Sequence, residues 1–165
     1  MKLKEMLDKT KKEFHYTNES MVKDLIKLIP FEINDIILDA GSGRNKVWYN
    51  NIPEDHIKWE CELEDGCDFL KWDREVDWVI GNPPYHESWN FTKKAVSIAN
   101  EGIAWLVNNQ ALNSHFTPAR LDWLKENGFE YTKIHIVADK RWFGRYYFII
   151  LEKKEGILSW ERKTY

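Results

Sequence analysis

The stretch Val76-Asp77-Trp78-Val79-Ile80-Gly81-Asn82-Pro83-Pro84-Tyr85 decides how the rest of this chain is read. Its first five residues are apolar apart from one acid, which predicts a buried strand. Gly81-Asn82-Pro83-Pro84 ends that strand, because proline has no N–H for a ladder and fixes φ. The prolines leave carbonyls free of neighbouring donors, beside the Asn82 side-chain oxygen. Two acceptors at a fixed spacing suit an NH2 group. They orient its hydrogens and push its lone pair out of conjugation, towards an electrophile. Tyr85 offers a flat face for a planar ring. The bland alternative is a rigid turn with a buried tyrosine; the strand before it and a glycine loop upstream weigh against that.

Upstream, Asp35-Ile36-Ile37-Leu38-Asp39 is another apolar run, leading into Asp39-x-Gly41-x-Gly43. Glycines let a backbone pass close beneath a ligand, and an acid at a strand tip can bond it. The third glycine of a dinucleotide fingerprint is absent, Asn45 holding its place. Residues 44–51 are too few for a long helix, so the first crossover is expected to be short. Ile57–Glu62 alternates and predicts the next strand, ending among Glu60, Glu62, Glu64 and Asp65. Glu62 stands at the distance past the glycines where a ribose diol is held. For Glu64 and Asp65 a solvated acidic loop is the better reading. In Gly66-Cys67-Asp68-Phe69, an acid beside an aromatic is suited to bond an adenine amino group and cover its ring.

On either side of this segment the pattern continues. Asn18 caps a helix with Met21, Val22, Leu25, Ile26 and Ile29 at helical spacing, ended by Pro30. Ser88 caps a helix carrying Phe91, Ala95, Val96 and Ala99, which Gly102 is expected to stop. Ile103–Val107 is a strand, and Thr117-Pro118 opens a helix closed by Asn127-Gly128. Tyr131–Val137 and Tyr146–Glu152 have no helix between them and predict an antiparallel pair across residues 139–145. The whole predicts an α/β fold with a mostly parallel central sheet, helices on both faces and an antiparallel C-terminal strand pair. Ligands of such sheets sit at the carboxyl ends of the strands. The expected organisation is an N-terminal arm or helix over 1–13, one domain over 14–154 and a tail over 155–165.

Composition narrows the class. The chain has 165 residues, 43% hydrophobic and 31% charged, a globular balance and not a disordered one. The longest apolar run, Tyr146–Leu151, is far too short to span a bilayer. The start, Met1-Lys2-Leu3-Lys4-Glu5, reads as no signal peptide, so a cytoplasmic location is expected. Cys61 and Cys67, spaced C-x5-C without a nearby histidine, form no zinc pattern and are expected to be reduced and structural. Net charge is −3. Residues 51–80 carry ten acids against three bases, and residues 133–165 carry eight bases against four acids. The distribution tolerates a polyanion at the basic end without demanding one.

Asp39-x-Gly41-x-Gly43 followed by Asn82-Pro83-Pro84-Tyr85 resembles the S-adenosylmethionine-dependent amino-methyltransferases, above all the adenine-N6 class. Trp59-x-Cys61-Glu62, Gly66-x-Asp68-Phe69 and Trp142-Phe143-Gly144-Arg145 resemble the small stand-alone members found in phages and prokaryotes. The resemblance covers roughly residues 14–153 and implies the Rossmann-like class I methyltransferase fold. It implies that Asp39, Gly41 and Gly43 line the methionine part of S-adenosylmethionine. Glu62 would take the ribose, Asp68 and Phe69 the adenine, and Thr17 the cofactor carboxylate. Asn82, Pro83, Pro84 and Tyr85 would hold the target amine. His86, Trp89, Trp142 and Arg145 stand near enough to contact substrate. The other histidines, His15, His56, His115 and His135, read as structural or surface residues.

The reaction so implied is direct methyl transfer to an exocyclic amine held in line with the methyl group, with no metal and no cysteine nucleophile. The expected substrate is N6 of adenine in DNA, with RNA second. N5 of a protein glutamine is the same chemistry. No segment is long enough for a target-recognition domain, which points to a partner subunit. The rival of another class is a degenerate cofactor-fold interaction module, suggested by the abbreviated glycine loop followed by Arg44-Asn45-Lys46.

Overall fold

A computed structural model describes residues 17–138 and 145–163. The expected N-terminal arm and Trp142 lie outside the described residues. The elements run α1 (Glu19–Ile26), β1 (Ile36–Ala40), α2 (Val47–Asn51), β2 (Ile57–Cys61), β3 (Val76–Gly81), α3 (Ser88–Ile98), β4 (Ala99–Asn108), α4 (Asn109–His115), α5 (Pro118–Glu126), β5 (Glu130–Ala138) and β6 (Arg145–Glu152). One sheet holds the six strands in the order β2-β1-β3-β4-β6-β5. The first four are mutually parallel, and β6 runs antiparallel to both β4 and β5. This is the architecture the alternation of strands and helices predicts.

The period of two along each strand separates two cores. Leu38, Ala40, Val79, Ile103, Trp105 and Val107 face α3, α4 and α5 through Ala95, Ala111, Leu121 and Leu124. Ile37, Trp78, Ile80, Ala104 and Leu106 face α1 and α2 through Val22, Leu25, Ile26 and Trp48. β1, β3 and β4 are thus covered on both faces, which is why they read as continuous apolar runs. Asn18 caps α1, its side chain accepting from Met21 N at 3.2 Å.

Three local readings need correction. Gly102 does not stop α3. The helix passes directly into β4 at Ala99, and Gly102 lies within the strand. It pairs with Trp78 of β3, and a Cβ there would come within 2.3 Å of the Trp78 ring. The glycine serves an indole, not a helix end. α4 was not foreseen; its seven residues are capped by Asn108, whose side chain accepts from Ala111 N. Cys61 and Cys67 are joined by a disulfide and are not free thiols. Gly66, at φ 86°, turns the chain so that the two Cα atoms come within 5.2 Å.

The segment after β6 returns along the sheet edge. Ile157 N donates to Tyr131 O of β5, and Trp160 Nε1 donates to Asp122 of α5 at 2.8 Å. Among the described residues, no helix is long and apolar enough to cross a membrane.

Candidate active site

β1 continues to β2 on one side, and the chain then crosses to β3 on the other. The order of the sheet therefore reverses between β1 and β3, which is where open α/β sheets bind their ligands, beyond the carboxyl ends of the strands. Gly81, the last residue of β3, has φ 143°. A Cβ there would lie 2.9 Å from Ala40 O and 3.2 Å from Asp39 Oδ1. Only glycine allows β3 to end this close to the tip of β1. Asp39 and Asn82 are thereby set on either side of one residue.

Asp39 is fully buried. Its Oδ2 accepts from Tyr49 N of α2 at 3.0 Å, which ties the short helix to the strand tip. Its Oδ1 has no hydrogen-bond partner among the described residues. Burial pushes its pKa up to about 8; the neighbouring charges of Glu60 and Glu62 add to this, and the Tyr49 N–H opposes it. Gly41 and Gly43 both take the left-handed conformation, at φ 74° and 69°. A Cβ on Gly43 would meet nothing within 4 Å, so the loop borders open space there.

The glycine loop is fastened to the end of β2. Gly41 N and Ser42 N both donate to Cys61 O, at 2.8 and 3.1 Å. Gly43 N donates to Glu62 Oε2 at 2.6 Å, and Ser42 Oγ to Glu60 Oε2 at 2.9 Å. Lys46 pairs with Glu60, and Arg44 Nε with Glu64 Oε2. Glu60 had been read only as one acid among several. It is the one that grips both ends of the loop, through contacts that no spacing rule announces.

Asn82 is half-buried. Its Nδ2 donates to Thr17 Oγ1 at 3.5 Å, while its Oδ1 is buried without a partner among the described residues. Pro83 is buried and Pro84 exposed, and Pro84 O accepts from Glu87 N to close a 3-10 turn over Tyr85–Glu87. Tyr85 is half-buried. Burial and the hydrogen bond to Tyr146, at the start of β6, raise its phenol above the ordinary tyrosine range. Tyr146 was not foreseen, since nothing local marks a contact between β6 and the proline turn.

The remaining expected residues are distributed as follows. Thr17, expected at the cofactor carboxylate, lies against Asn82. Asp68 Oδ1 caps the turn Phe69–Lys71 by accepting from Leu70 N. Phe69 is 3% exposed, its ring 4.9 Å from that of Phe91, so it belongs to the core and does not offer an open face for an adenine. Trp89 packs edge-on against His115 and Trp123 with Arg120 over its ring. Those contacts lie on the α4–α5 side and leave the residue half-buried. His86 and Arg145 are exposed.

Behind the proline turn is a buried relay. His115 Nδ1 lies 2.9 Å from the Tyr131 hydroxyl and Nε2 lies 3.1 Å from Ser88 Oγ. Thr92 Oγ1 donates to Ser88 O and accepts from Trp105 Nε1. The first turn of α3, which follows the proline turn directly, is thus anchored to β4 and β5.

No protein-family profile matches this chain, and no curated protein is similar to it. Solved structures do share its fold. Magnesium protoporphyrin IX methyltransferase from Synechocystis PCC 6803, with bound SAM, has a TM-score of 0.61 at 12% identity, over 82% of this chain and 79% of that one. The Mtq2–Trm112 complex of E. cuniculi, which methylates the eRF1 translation termination factor, gives 0.61 at 17% identity over 85% and 98%. The 23S rRNA methyltransferase ErmE gives 0.60 at 10% identity over 88% and 72%. The fold is that of the class I methyltransferases.

Proposed function

We propose that this protein transfers a methyl group from S-adenosylmethionine to a planar NH2, with N6 of adenine in a nucleic acid, DNA first, as the target. The observation that carries this reading is Asn82 Oδ1 at the end of β3, buried and without a partner among the described residues. A buried polar atom without a partner costs roughly 1–3 kcal/mol, so a site that keeps one gains when a donor arrives.

The residues of the cleft suit the cofactor. Asp39 Oδ1 is a second buried oxygen without a partner among the described residues, placed for an ammonium. Gly41 and Gly43 hold a backbone that borders open space, and Glu62 lies at the end of β2 for a ribose. The bound cofactor supplies an electrophilic methyl on a sulfonium. The chain's own residues do the rest. Asn82 Oδ1 accepts a hydrogen of the target amine and becomes a stronger partner as positive charge develops on nitrogen. Pro83 and Pro84 fix that oxygen in place, and Tyr85, tethered to Tyr146, limits where a planar group can lie. A base within a duplex would have to be extruded to reach this turn.

A protein glutamine amide is the second reading. The likeness to the E. cuniculi complex favours it, since it covers 98% of that chain. The test is transfer of labelled methyl to DNA, RNA and protein in parallel, with Asn82→Ala as control. The variant is expected to lose roughly two to three orders of magnitude in rate and to bind the cofactor within a few-fold of the parent. Full activity in Asn82→Ala would reduce the tetrapeptide to a rigid turn and remove the main support for this function.

A further inference from the structure

We propose that Cys61 and Cys67 form a reversible thiol–disulfide modification site that sets the affinity of the cleft for its cofactor. The proposal rests on the cofactor reading above and adds a control on it. Cys61 ends β2 and is 1% exposed; its carbonyl receives both Gly41 N and Ser42 N. The residue that carries one sulfur therefore also holds the glycine loop. Cys67 is half-buried and is the more exposed residue of the pair.

The bond closes a loop over residues 62–66. Within it lies Glu62, whose carboxylate holds Gly43 N at 2.6 Å, and directly after it lies Asp68. Apart from the disulfide and the Glu62–Gly43 bond, the loop is fastened only by local hydrogen bonds and surface ion pairs among the described residues. It holds one 3-10 turn, Leu63–Asp65, with Leu63 70% exposed, the local hydrogen bonds of Asp65 N and Cys67 N to Glu62 O and of Gly66 N to Leu63 O, and ion pairs from Glu64 to Arg44 and from Asp65 to Lys46 at the surface. Exposed pairs of that kind contribute little. Opening the bond therefore releases the segment that places Glu62, and the cost of reordering it falls on cofactor binding.

The exchange is balanced by a dithiol. One of its thiolates attacks Cys67 Sγ, breaking the Cys61–Cys67 bond and forming a mixed disulfide. Cys61 leaves as a thiolate and takes a proton. The second thiol of the reductant then displaces Cys67, which also takes a proton. The protein gains two electrons and two protons, and the dithiol becomes a disulfide. An oxidised dithiol reverses the sequence.

The experiment uses the full chain equilibrated with oxidised or with reduced dithiothreitol, with free thiols counted and S-adenosylhomocysteine affinity measured by calorimetry. The oxidised form is expected to bind about five- to tenfold more tightly. Cys67→Ser is expected to bind as the reduced parent does and to ignore the redox state. Amide exchange over residues 62–66 should accelerate on reduction even without ligand. Equal affinity in two states whose thiol counts differ overturns the proposal and leaves the function standing. So does Cys67→Ser with the oxidised affinity, or a pair that stays reduced in excess oxidised dithiothreitol. If neither state binds the ligand, the cofactor reading falls and the proposal falls with it. Should Cys67→Ser fail to fold, the comparison of the two redox states of the parent decides alone.

Discussion

Thr17 Oγ1 accepts from Asn82 Nδ2 at 3.5 Å, and Asn82 Oδ1 is buried beside Gly81 with no partner among the described residues. A carboxamide has one accepting end and one donating end. With the nitrogen engaged by Thr17, the oxygen is the end presented to an incoming amine. Thr17 thus anchors the amide, its hydroxyl accepting in this orientation.

Thr17→Val is accordingly expected to lower the methyl-transfer rate by about tenfold, the equivalent of one net hydrogen bond. Cofactor affinity should stay within a few-fold, and Thr17→Ser should restore the rate. Steady-state kinetics with calorimetry decides the matter. A loss confined to cofactor affinity would return Thr17 to the role the sequence suggested, at the cofactor carboxylate.

Asp39 predicts a pH dependence. Its carboxyl is raised from 3.8 to about 8 in the folded chain, while burial lowers the His115 imidazole from 6.5 to about 4. Between pH 4 and 6.5 the two oppose. The folded state holds a proton on Asp39 that the unfolded chain has lost, and lacks one on His115 that the unfolded chain carries. Between 6.5 and 8 only Asp39 acts, so stability should fall as pH rises, by about 1–2 kcal/mol over that window. Denaturant midpoints at pH 6.5 and 8 measure it, and Asp39→Asn should flatten the slope.

Asp39 also makes cofactor binding proton-linked. An ammonium beside Oδ1 would favour the carboxylate and expel the proton held at pH 7. Calorimetry in buffers of different ionisation enthalpy should register proton release, and Asp39→Asn should abolish it. Absence of release in the parent would place the ligand's cationic group elsewhere.

His115→Phe should destabilise the fold by about 2–4 kcal/mol, because Ser88 Oγ and the Tyr131 hydroxyl would both be left buried without their partner. Chemical denaturation reads the loss. A cost below about 1 kcal/mol would show that water replaces the imidazole and that the relay does not anchor α3.

Gly102→Ala should cost about 1–3 kcal/mol or more, since the added Cβ would come within 2.3 Å of the Trp78 ring, far inside van der Waals contact. A smaller side chain at Trp78 should relieve that clash, so the double variant Trp78→Leu with Gly102→Ala should lose less than the two single losses combined. Additive losses would mean that the glycine is needed for another reason.

The pattern of apolar runs was enough to read the sheet and to set the candidate site residues at one end of it. Ile36–Ala40, Val76–Gly81 and Ile103–Val107 are covered on both faces, so their burial shows as apolar runs broken at most by a single acid, Asp39 or Asp77. Asp39, the glycines and Asn82-Pro83-Pro84-Tyr85 follow strand ends directly, so local order alone put them at one end of the sheet. What tertiary structure decided are pairings that no local pattern in the chain marks. Gly102 reads as a helix stop until the register of β3 and β4 sets it under Trp78. Cys61 and Cys67 read as ordinary reduced cysteines until the turn at Gly66 brings them together. Phe69 looks available for stacking until its ring is buried against Phe91. Thr17 against Asn82, Glu60 across the glycine loop and Tyr146 on Tyr85 have no sequence signal at all, because a hydrogen bond depends on where two strands end in space and leaves no periodicity behind.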